Sequence, residues 1–366
     1  MDEDTPRAVR DGRARFRATS PEEPAFVPAA ERPAMRRGDG RVRAAAALAL
    51  TLALGSVGVG AVRPRAHDPS RGDPGAGRRP RALAGVVAPP ESVLVVLLGT
   101  GTPAPDPRRE GPATAVVVGD RVFLFDAGVN VTRQLRGAGL PANRLAGVFF
   151  THLHSDHTLG YPDLLITSWI AGRRAPFRVY GPHGTRRMTD LLLAAYSEDL
   201  ELRTRGLERE WPGGYRVTVS EIAPGVVYDS AGVRITAFAV PHGSWREAFG
   251  YRVDAPGRSV VISGDTRASD AVERAAHGAD VLVHETYPAA RLAPEQRPGG
   301  DLWPRYMKAF HTSDAELGAL AARAEPKLLL LTHVVWMGGT EDELVRGIRA
   351  AGFTGRIEVG HDLGRY

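Results

Sequence analysis

The sequence predicts an α/β fold in which two β-sheets pack face to face and helices cover their outer surfaces. From Ser92 to the end of the sequence, short β-branched runs alternate with helical patterns. The strand-like runs fall into two groups, and each group has helices of its own. Two sheets with amphipathic helices bury their apolar surfaces most completely as stacked layers.

The first predicted strands lie within residues 92–182. They are rich in Val, Leu and Phe, and the second contains a hairpin turn at Gly119-Asp120. In order they are SVLVVLLGTG, TAVVVGDRVFLFDAG, RLAGVFFTH and FRVYGP. Two stretches of this half, NVTRQLRGAGL and TRRMTDLLLAAYSEDL, have the apolar spacing of helices.

The chain continues with further extended runs and ends in three units of a helix followed by a strand. The extended runs are YRVTVSEI, GVRITAFAVPH and the hairpin FGYRVDAPGRSVVISGDT. The units are SDAVERAAHGADVLVHE, SDAELGALAARAEPKLLLLTH and TEDELVRGIRAAGFTGRIEVG. Ser313 with Glu316, and Thr340 with Glu343, form capping boxes, which predict where the last two helices begin.

The N-terminal segments are expected to lie outside the folded domain, which we place at residues 91–366. Residues 35–62 combine four arginines with an apolar, uncharged run, which is typical of a signal peptide or, if uncleaved, of an N-terminal membrane anchor. Residues 63–90 are rich in Pro, Gly and Arg and predict a flexible linker. Residues 1–34 are interpreted as disordered or as a mistaken upstream extension. We therefore expect an exported protein, periplasmic or extracellular.

The distribution of charge bears on the expected partner. Residues 1–90 carry 16 Lys and Arg against 10 Asp and Glu, a net charge of +6, whereas residues 91–366 carry 31 against 32, a net charge of −1. Domains that bind nucleic acid usually carry the basic patch themselves. The nearly neutral domain therefore argues against nucleic acid as a partner and favours a small molecule.

The stretch THLHSDHTLG gathers three histidines and an aspartate directly after an apolar strand. The chain contains no cysteine, so any metal must be held by His and carboxylate side chains. His152 and His154 are two residues apart on extended backbone and point to the same side. Asp156 and His157 follow on the next turn and are available to a second ion. Four groups are too few for two metal sites, so the remaining ligands must come from elsewhere.

Three later strands end in residues of the same ligand type. His242 closes FAVPH, Asp265 follows VVISG, and His333 closes LLLLTH. We assign Asp265 as the bridging ligand between two sites, which consist of His152, His154 and His242, and of Asp156, His157 and His333. Zinc is the expected metal, with manganese or iron as alternatives at a His and carboxylate site.

The order of the motifs resembles the metallo-β-lactamase superfamily, in particular the branch shared by ribonuclease Z and arylsulfatase-like hydrolases. The resemblance covers about residues 93–366 and rests on GTGTPAPDPRREGPATAVVV, FDAG, THLHSDHTLG, VYGPHGT, VPH, ISGDT, HET, FHTSDAE and LLTH. It implies a four-layer αββα sandwich and a two-zinc site with the ligands assigned above.

Two zinc ions in such a site would hold a bridging hydroxide near neutral pH, with Asp156 both a ligand and a catalytic group. His311, next to the capped helix that begins near Ser313, is the candidate general acid, with a structural histidine as the alternative. Glu285 is the carboxylate expected to orient His311, and the corresponding family motifs support both roles. Asp126, at the end of an apolar strand, is expected to accept a hydrogen bond from a ligand histidine.

The sequence differs from ribonuclease Z in two features that bear on the expected substrate. Only 22 residues separate His242 from Asp265, where those enzymes usually carry a long tRNA-gripping arm, and THVVWMGG lacks the Ser and Arg that usually follow the last histidine. We therefore expect a hydrolase of a small phosphoric, sulfuric or carboxylic ester or lactone. The alternatives are a ribonuclease Z-like phosphodiesterase acting on RNA, a β-lactam hydrolase, and a non-catalytic binding domain. Trp169, Trp245 and Trp336 either line an apolar cleft or pack in the core.

Overall fold

The computed structural model describes residues 93–366. The predicted segments 1–34, 35–62 and 63–90 lie outside the described residues, so the signal or anchor segment, the linker and the export of the chain stay predictions. Among the described residues, no helix is both long enough and apolar enough to span a membrane.

The first sheet has six strands in the same order as the chain. Its first three strands pair in antiparallel fashion, and the third to sixth pair in parallel. A tight turn joins the second and third strands at Gly119, whose φ of 61° favours glycine. The strands are β1 (Val93–Gly99), β2 (Ala113–Val118), β3 (Arg121–Phe125), β4 (Leu145–Phe149), β5 (Phe177–Gly181) and β6 (Val217–Glu221).

The second sheet has seven strands, again adjacent in chain order. The first four pair in antiparallel fashion and the last four in parallel. The strands are β7 (Gly225–Ser230), β8 (Val233–Ala239), β9 (Phe249–Ala255), β10 (Arg258–Ile262), β11 (Val281–Thr286), β12 (Leu328–Val334) and β13 (Arg356–Val359).

Nine α-helices connect these strands within the described residues. They are α1 (Val131–Gly137), α2 (Ser155–Thr158), α3 (Tyr161–Ile170), α4 (Thr185–Ala195), α5 (Ser197–Arg205), α6 (Asp270–Ala276), α7 (Trp303–Phe310), α8 (Asp314–Ala324) and α9 (Glu341–Ala350). Side chains of α1, α3 and the first sheet form one apolar cluster, and side chains of α6, α8, α9 and the second sheet form another. The helices thus cover the outer faces of both sheets.

A third apolar cluster lies between the sheets. Phe123 and Phe149 from the first sheet and Ile235, Tyr251 and Val283 from the second are fully buried in it. Each such side chain contributes about 1.5 to 3 kcal/mol when it leaves water. The predicted α/β architecture, with two face-to-face sheets between layers of helices, is confirmed.

The helix predictions were right in part. Both capping boxes are present, with Ser313 at the start of α8 and Thr340 at the start of α9. The helix predicted over TRRMTDLLLAAYSEDL is divided into α4 and α5, because the backbone at Tyr196 (φ −99°, ψ 13°) leaves helical geometry. Helices α2, α3 and α7 and strand β7 were not predicted. Helix α2 is a single turn of four residues, and α3 and α7 are only ten and eight residues long.

Candidate metal centre

The ends of four strands bring the predicted ligands to one edge of the two sheets. Strands β8, β10 and β12 run in the same direction, because β8 and β10 are both antiparallel to β9, and β10, β11 and β12 pair in parallel. His242 follows β8, Asp265 follows β10, and His333 lies near the end of β12. Strand β4 leads into the other four predicted ligands. Six of the seven side chains are buried, and only His154 is partly exposed.

The three histidines of the first predicted site meet through their ring nitrogens. Nδ1 of His154 lies 2.8 Å from Nε2 of His152 and 3.2 Å from Nε2 of His242. Nδ1 of His242 donates to the carbonyl oxygen of Phe310 at 2.8 Å. Because a neutral imidazole carries one proton, this bond leaves the lone pair of Nε2 free to bind a cation.

The second predicted site combines both aspartates with two histidines. Oδ2 of Asp156 lies 3.2 Å from Nε2 of His333 and 3.5 Å from Nε2 of His157. Oδ2 of Asp265 lies 3.4 Å from Nε2 of His157 and 3.6 Å from Nε2 of His333. The same oxygen is 4.0 Å from Nε2 of His152 in the first site. The carboxylate of Asp265 therefore faces both sites, as a bridging ligand must.

Asp126 orients His157, a predicted ligand of the second site, through a hydrogen bond. Its Oδ2 accepts a hydrogen bond from Nδ1 of His157 at 2.8 Å, and the backbone and hydroxyl of Thr151 donate to its two oxygens at 2.8 and 2.9 Å. The contact expected for Asp126 is therefore present. Asp126 and His333 both have positive φ, 61° and 45°, a conformation that costs energy for residues with a side chain and that clusters at functional sites.

The electrostatics of the cluster are those of a site built to hold positive charge. Burial and the neighbouring imidazoles keep the pKa of His152 well below its usual value, and burial lowers the pKa of His242 to about 4. These histidines are therefore neutral at pH 7, as metal ligands must be. Although burial opposes its ionisation, the imidazoles of His333 and His157 hold the pKa of Asp265 well below its ordinary range.

The cluster fits a divalent cation. Nε2 of His157 is buried without a hydrogen-bond partner and points toward the carboxylates of Asp156 and Asp265. A buried polar atom left unpaired costs about 1 to 3 kcal/mol, which a cation at this position would relieve. A cavity of about 30 Å³, the space of one or two water molecules, adjoins His157, Asp265 and His333. The ligand atoms of each group lie within 4.8 Å of one another.

The two candidates for proton transfer lie together beside this cluster. Nδ1 of His311 is 3.3 Å from Oε2 of Glu285, and both groups are buried. The other oxygen of Glu285 accepts hydrogen bonds from the backbone N–H groups of Thr312 at 3.0 Å and Thr266 at 3.3 Å. Although burial opposes its charge, the carboxylate of Glu285 raises the pKa of His311, so this imidazole holds a proton more firmly at neutral pH. His311 also lies within ligand distance of Asp265 and His333.

The tryptophans that the sequence placed near the motif loops have different surroundings. Trp169 is fully buried and donates to the carbonyl oxygen of Trp211 at 2.8 Å, so it packs in the core. The guanidinium of Arg109 lies 5.4 Å from the ring centroid of Trp336. Trp245 reaches the metal cluster, where its indole nitrogen lies 2.7 Å from Nε2 of His154.

Sequence reasoning missed the aromatic residues of α7. Trp303, Tyr306 and Phe310 stack on one another with ring centroids 5.3 and 4.3 Å apart, and Phe310 also stacks on His154 at 6.4 Å. They form an apolar wall that ends at His311. Their spacing along WPRYMKAF is that of one helix face, and this was the signal available in the sequence.

Comparison with known proteins places this chain in a family. A profile of the beta-lactamase superfamily domain matches residues 121–334. A ribonuclease Z from Mycobacterium bovis (strain BCG / Pasteur 1173P2) is 36% identical over 277 residues, which cover 74% of this chain and 96% of that protein. A ribonuclease Z from Mycobacterium marinum is 37% identical over 280 residues, which cover 75% of this chain and 98% of that protein.

Solved structures share the fold. The metallo-beta-lactamase fold protein YhfI from Bacillus subtilis is similar with a TM-score of 0.58 and 20% identity, and human tRNase Z, short form, with a TM-score of 0.56 and 23% identity. Each comparison covers 75% of this chain and 98% of the other. At these identities the likeness concerns the fold alone.

Two expectations drawn from the sequence are wrong in the light of the mycobacterial relatives. The first is that the chain hydrolyses a small ester; the second is that nucleic acid is an unlikely partner. The M. bovis ribonuclease Z aligns over 96% of its length, so it carries no long segment that this chain lacks. A short connection between His242 and Asp265, here the hairpin of β9 and β10, therefore does not separate this chain from ribonuclease Z. The arylsulfatase-like part of the resemblance gains no support from these relatives.

The net charge of the domain does not describe the surface that a substrate meets. The net charge of residues 91–366 averages over the whole surface, whereas a phosphodiester meets only the groups at the site. Divalent cations bound by the cluster would make that site locally positive without changing the residue count.

Proposed function

The chain belongs to the beta-lactamase superfamily and to its ribonuclease Z branch, and from this premise we propose that it is a metal-dependent endoribonuclease that hydrolyses phosphodiester bonds in RNA. The convergence of five histidines and two aspartates at one sheet edge, with the buried pair of Glu285 and His311 beside them, supports a metal-dependent hydrolase. The similarity to the mycobacterial ribonucleases Z carries the choice of RNA as substrate. A hydrolase of this fold needs both parts, a cation site and a proton donor.

The seven clustered residues would hold two divalent cations. His152, His154 and His242 would bind the first and Asp156, His157 and His333 the second, with Asp265 shared between them. Zinc is the proposed metal because imidazole and carboxylate ligands suit it, although manganese and iron accept similar ligands. When bound, such ions lower the pKa of water and act as Lewis acids toward a phosphoryl oxygen.

His311 is the proposed proton donor to the leaving oxygen of the RNA. Glu285 raises the pKa of His311, and two backbone N–H groups hold Glu285 in place, so the pair forms a fixed proton-donating unit. General acids of this kind contribute roughly 10² to 10⁴ in rate. Water attacks phosphorus and releases one proton to solvent, the bond to the 3′ oxygen breaks, and this oxygen takes the proton of His311, which solvent then restores.

Asp156 would contribute at the open side of the centre. It lines a cleft of about 420 Å³ together with Val129, Leu159 and three prolines of the loop that follows β1. Although burial opposes its ionisation, the imidazole of His157 helps to lower the pKa of Asp156, so the carboxylate is charged at neutral pH. A carboxylate that reaches both the cluster and the cleft is well placed to orient the attacking water.

A precursor RNA with a 3′ extension provides the test. The zinc-loaded protein is expected to cut it into products ending in a 3′ hydroxyl and a 5′ phosphate, and a chelator should stop the reaction until zinc is returned. An RNA with a single 2′-deoxy nucleotide at the cleavage site should still be cut, because water and not the 2′ hydroxyl attacks. Fully metallated protein that leaves the precursor RNA intact would refute the proposed function.

A further inference from the structure

Trp245 makes an unusual hydrogen bond to a predicted metal ligand. Its indole Nε1 donates to Nε2 of His154 at 2.7 Å, with the two rings nearly perpendicular and their centroids 4.9 Å apart. The backbone N–H of Trp245 donates to the carbonyl oxygen of His242 at 3.0 Å, so the turn that supplies one metal ligand also positions the indole against another.

The two nitrogens of His154 face different partners. Nδ1 faces the ring nitrogens of His152 and His242, at 2.8 and 3.2 Å, and is therefore the atom available to a cation. Nε2 faces the indole of Trp245. An indole N–H only donates, so the observed bond needs the lone pair of His154 on Nε2 and its proton on Nδ1.

A cation at Nδ1 requires the opposite tautomer. Ligation uses the lone pair of Nδ1, and the proton of the neutral imidazole must then reside on Nε2. Two N–H groups would then oppose each other at 2.7 Å, without an acceptor between them. The bond between Trp245 and His154 and a cation on His154 are therefore mutually exclusive.

We propose that Trp245 is a metal-linked positioning residue whose indole N–H leaves His154 when a cation binds and becomes a donor to the phosphate of the substrate. The side chain is only partly buried, so it can turn without disturbing the core. Its turn contains Gly243, whose φ of 54° and contact with the ring of Phe310 leave no room for a side chain. Backbone hydrogen bonds from Gly243 to Ala309 and from Trp245 to His242, both at 3.0 Å, hold the turn while the indole moves. The substrate contact rests on the proposed function, whereas the response to metal does not.

Tryptophan fluorescence tests the response of Trp245 to metal without any substrate. Metal-free protein is titrated with zinc, a closed-shell ion without unpaired electrons, while tryptophan emission is recorded for the wild type, Trp245→Phe and Trp211→Phe. Trp211 is 58% exposed and serves as the matched control. We expect the wild type and Trp211→Phe to show a zinc-dependent change that Trp245→Phe lacks. Trp245→Phe should also bind zinc at the site of His154 about fivefold more tightly, because a competing net hydrogen bond of about 1 kcal/mol is gone.

Exchange of the indole proton with water measures directly whether the hydrogen bond from Trp245 to His154 is lost when zinc binds. In ¹⁵N-labelled protein, the Nε1–H resonance of Trp245, assigned with Trp245→Phe, should exchange with water faster after zinc binds. Equal emission changes in all three proteins, or an indole proton equally protected with and without zinc, would overturn the metal-linked role.

The KM for RNA tests the proposed contact between Trp245 and the substrate phosphate. With zinc content equal, Trp245→Phe should raise KM for RNA about threefold to tenfold, the worth of about one hydrogen bond, with kcat nearly unchanged. An unchanged KM would remove the substrate contact. If no RNA is hydrolysed while the zinc-dependent emission change is present, the proposed function fails and the metal-linked role of Trp245 stands.

Discussion

Replacing Asp126 by asparagine is expected to weaken the second metal site while leaving the fold intact. Asp126 accepts three hydrogen bonds, from Nδ1 of His157 and from the backbone and hydroxyl of Thr151, all at 2.8 to 2.9 Å. Asparagine has nearly the same shape but carries an NH₂ group in place of one oxygen. The hydroxyl of Thr151 can rotate and accept, whereas its backbone N–H cannot, so the NH₂ group must face His157.

The magnitude follows from the tautomer of His157. Because the NH₂ group of the asparagine is a donor, Nδ1 of His157 must become an acceptor. The proton of the imidazole then moves to Nε2, the atom that faces Asp156 and Asp265 and would bind the metal. A hydrogen bond to a charged group contributes about 1.5 to 3 kcal/mol. Losing that contribution corresponds to roughly a tenfold to hundredfold loss of metal affinity, the usual effect of removing such a partner.

Metal affinity is measured by competition between the protein and a chromogenic zinc chelator, with circular dichroism to verify the fold. Asp163→Asn is the matched control, because Asp163 is an exposed carboxylate on α3 whose Oδ1 accepts only from the hydroxyl of Thr167, at 2.7 Å. The control should bind zinc like the wild type. Folded Asp126→Asn with wild-type affinity for both zinc ions would refute the reasoning about His157.

Three further predictions concern the proton donor and the fold. His311→Ala should lower kcat for RNA by roughly 10² to 10⁴ while two zinc ions per chain remain, and metal analysis showing one ion would make His311 a ligand instead. Glu285→Gln removes the charge that raises the pKa of His311, so the fall of kcat at alkaline pH should move to lower pH. If the alkaline limb of the pH profile does not move, Glu285 does not control the protonation of His311. Ser313→Ala removes the cap of α8 and should cost about 1 kcal/mol in urea unfolding, as Thr340→Ala should for α9; wild-type stability would show that the caps contribute nothing.

The positions of the ligand-type residues could be predicted because each follows an apolar strand. His242, Asp265 and His333 lie far apart in the chain, yet parallel strand directions bring the ends of β8, β10 and β12 to one edge. The contact between Trp245 and His154 could not be predicted, because it depends on a side-chain rotamer and on a turn between two strands. Helix α7 was missed because it is only eight residues long and therefore carries a short apolar pattern.

The substrate was the weakest inference from the sequence. A net charge of −1 over residues 91–366 and a short connection after His242 both pointed away from RNA. Neither quantity describes the surface that a phosphodiester touches. The chemistry of the site, seven metal-binding groups and a proton donor, is equally suited to several esters, so relatives and not residues decided between them.

A zinc titration of cleavage tests the central claim most directly. Metal-free protein is mixed with a labelled precursor RNA, and the initial rate of cleavage is recorded as zinc is added in known equivalents. The rate should rise steeply up to two equivalents per chain and then stay constant, since the two groups of ligands must both be filled. A rate that saturates at one equivalent, or RNA that stays intact at every zinc concentration, would contradict a two-cation site for RNA hydrolysis.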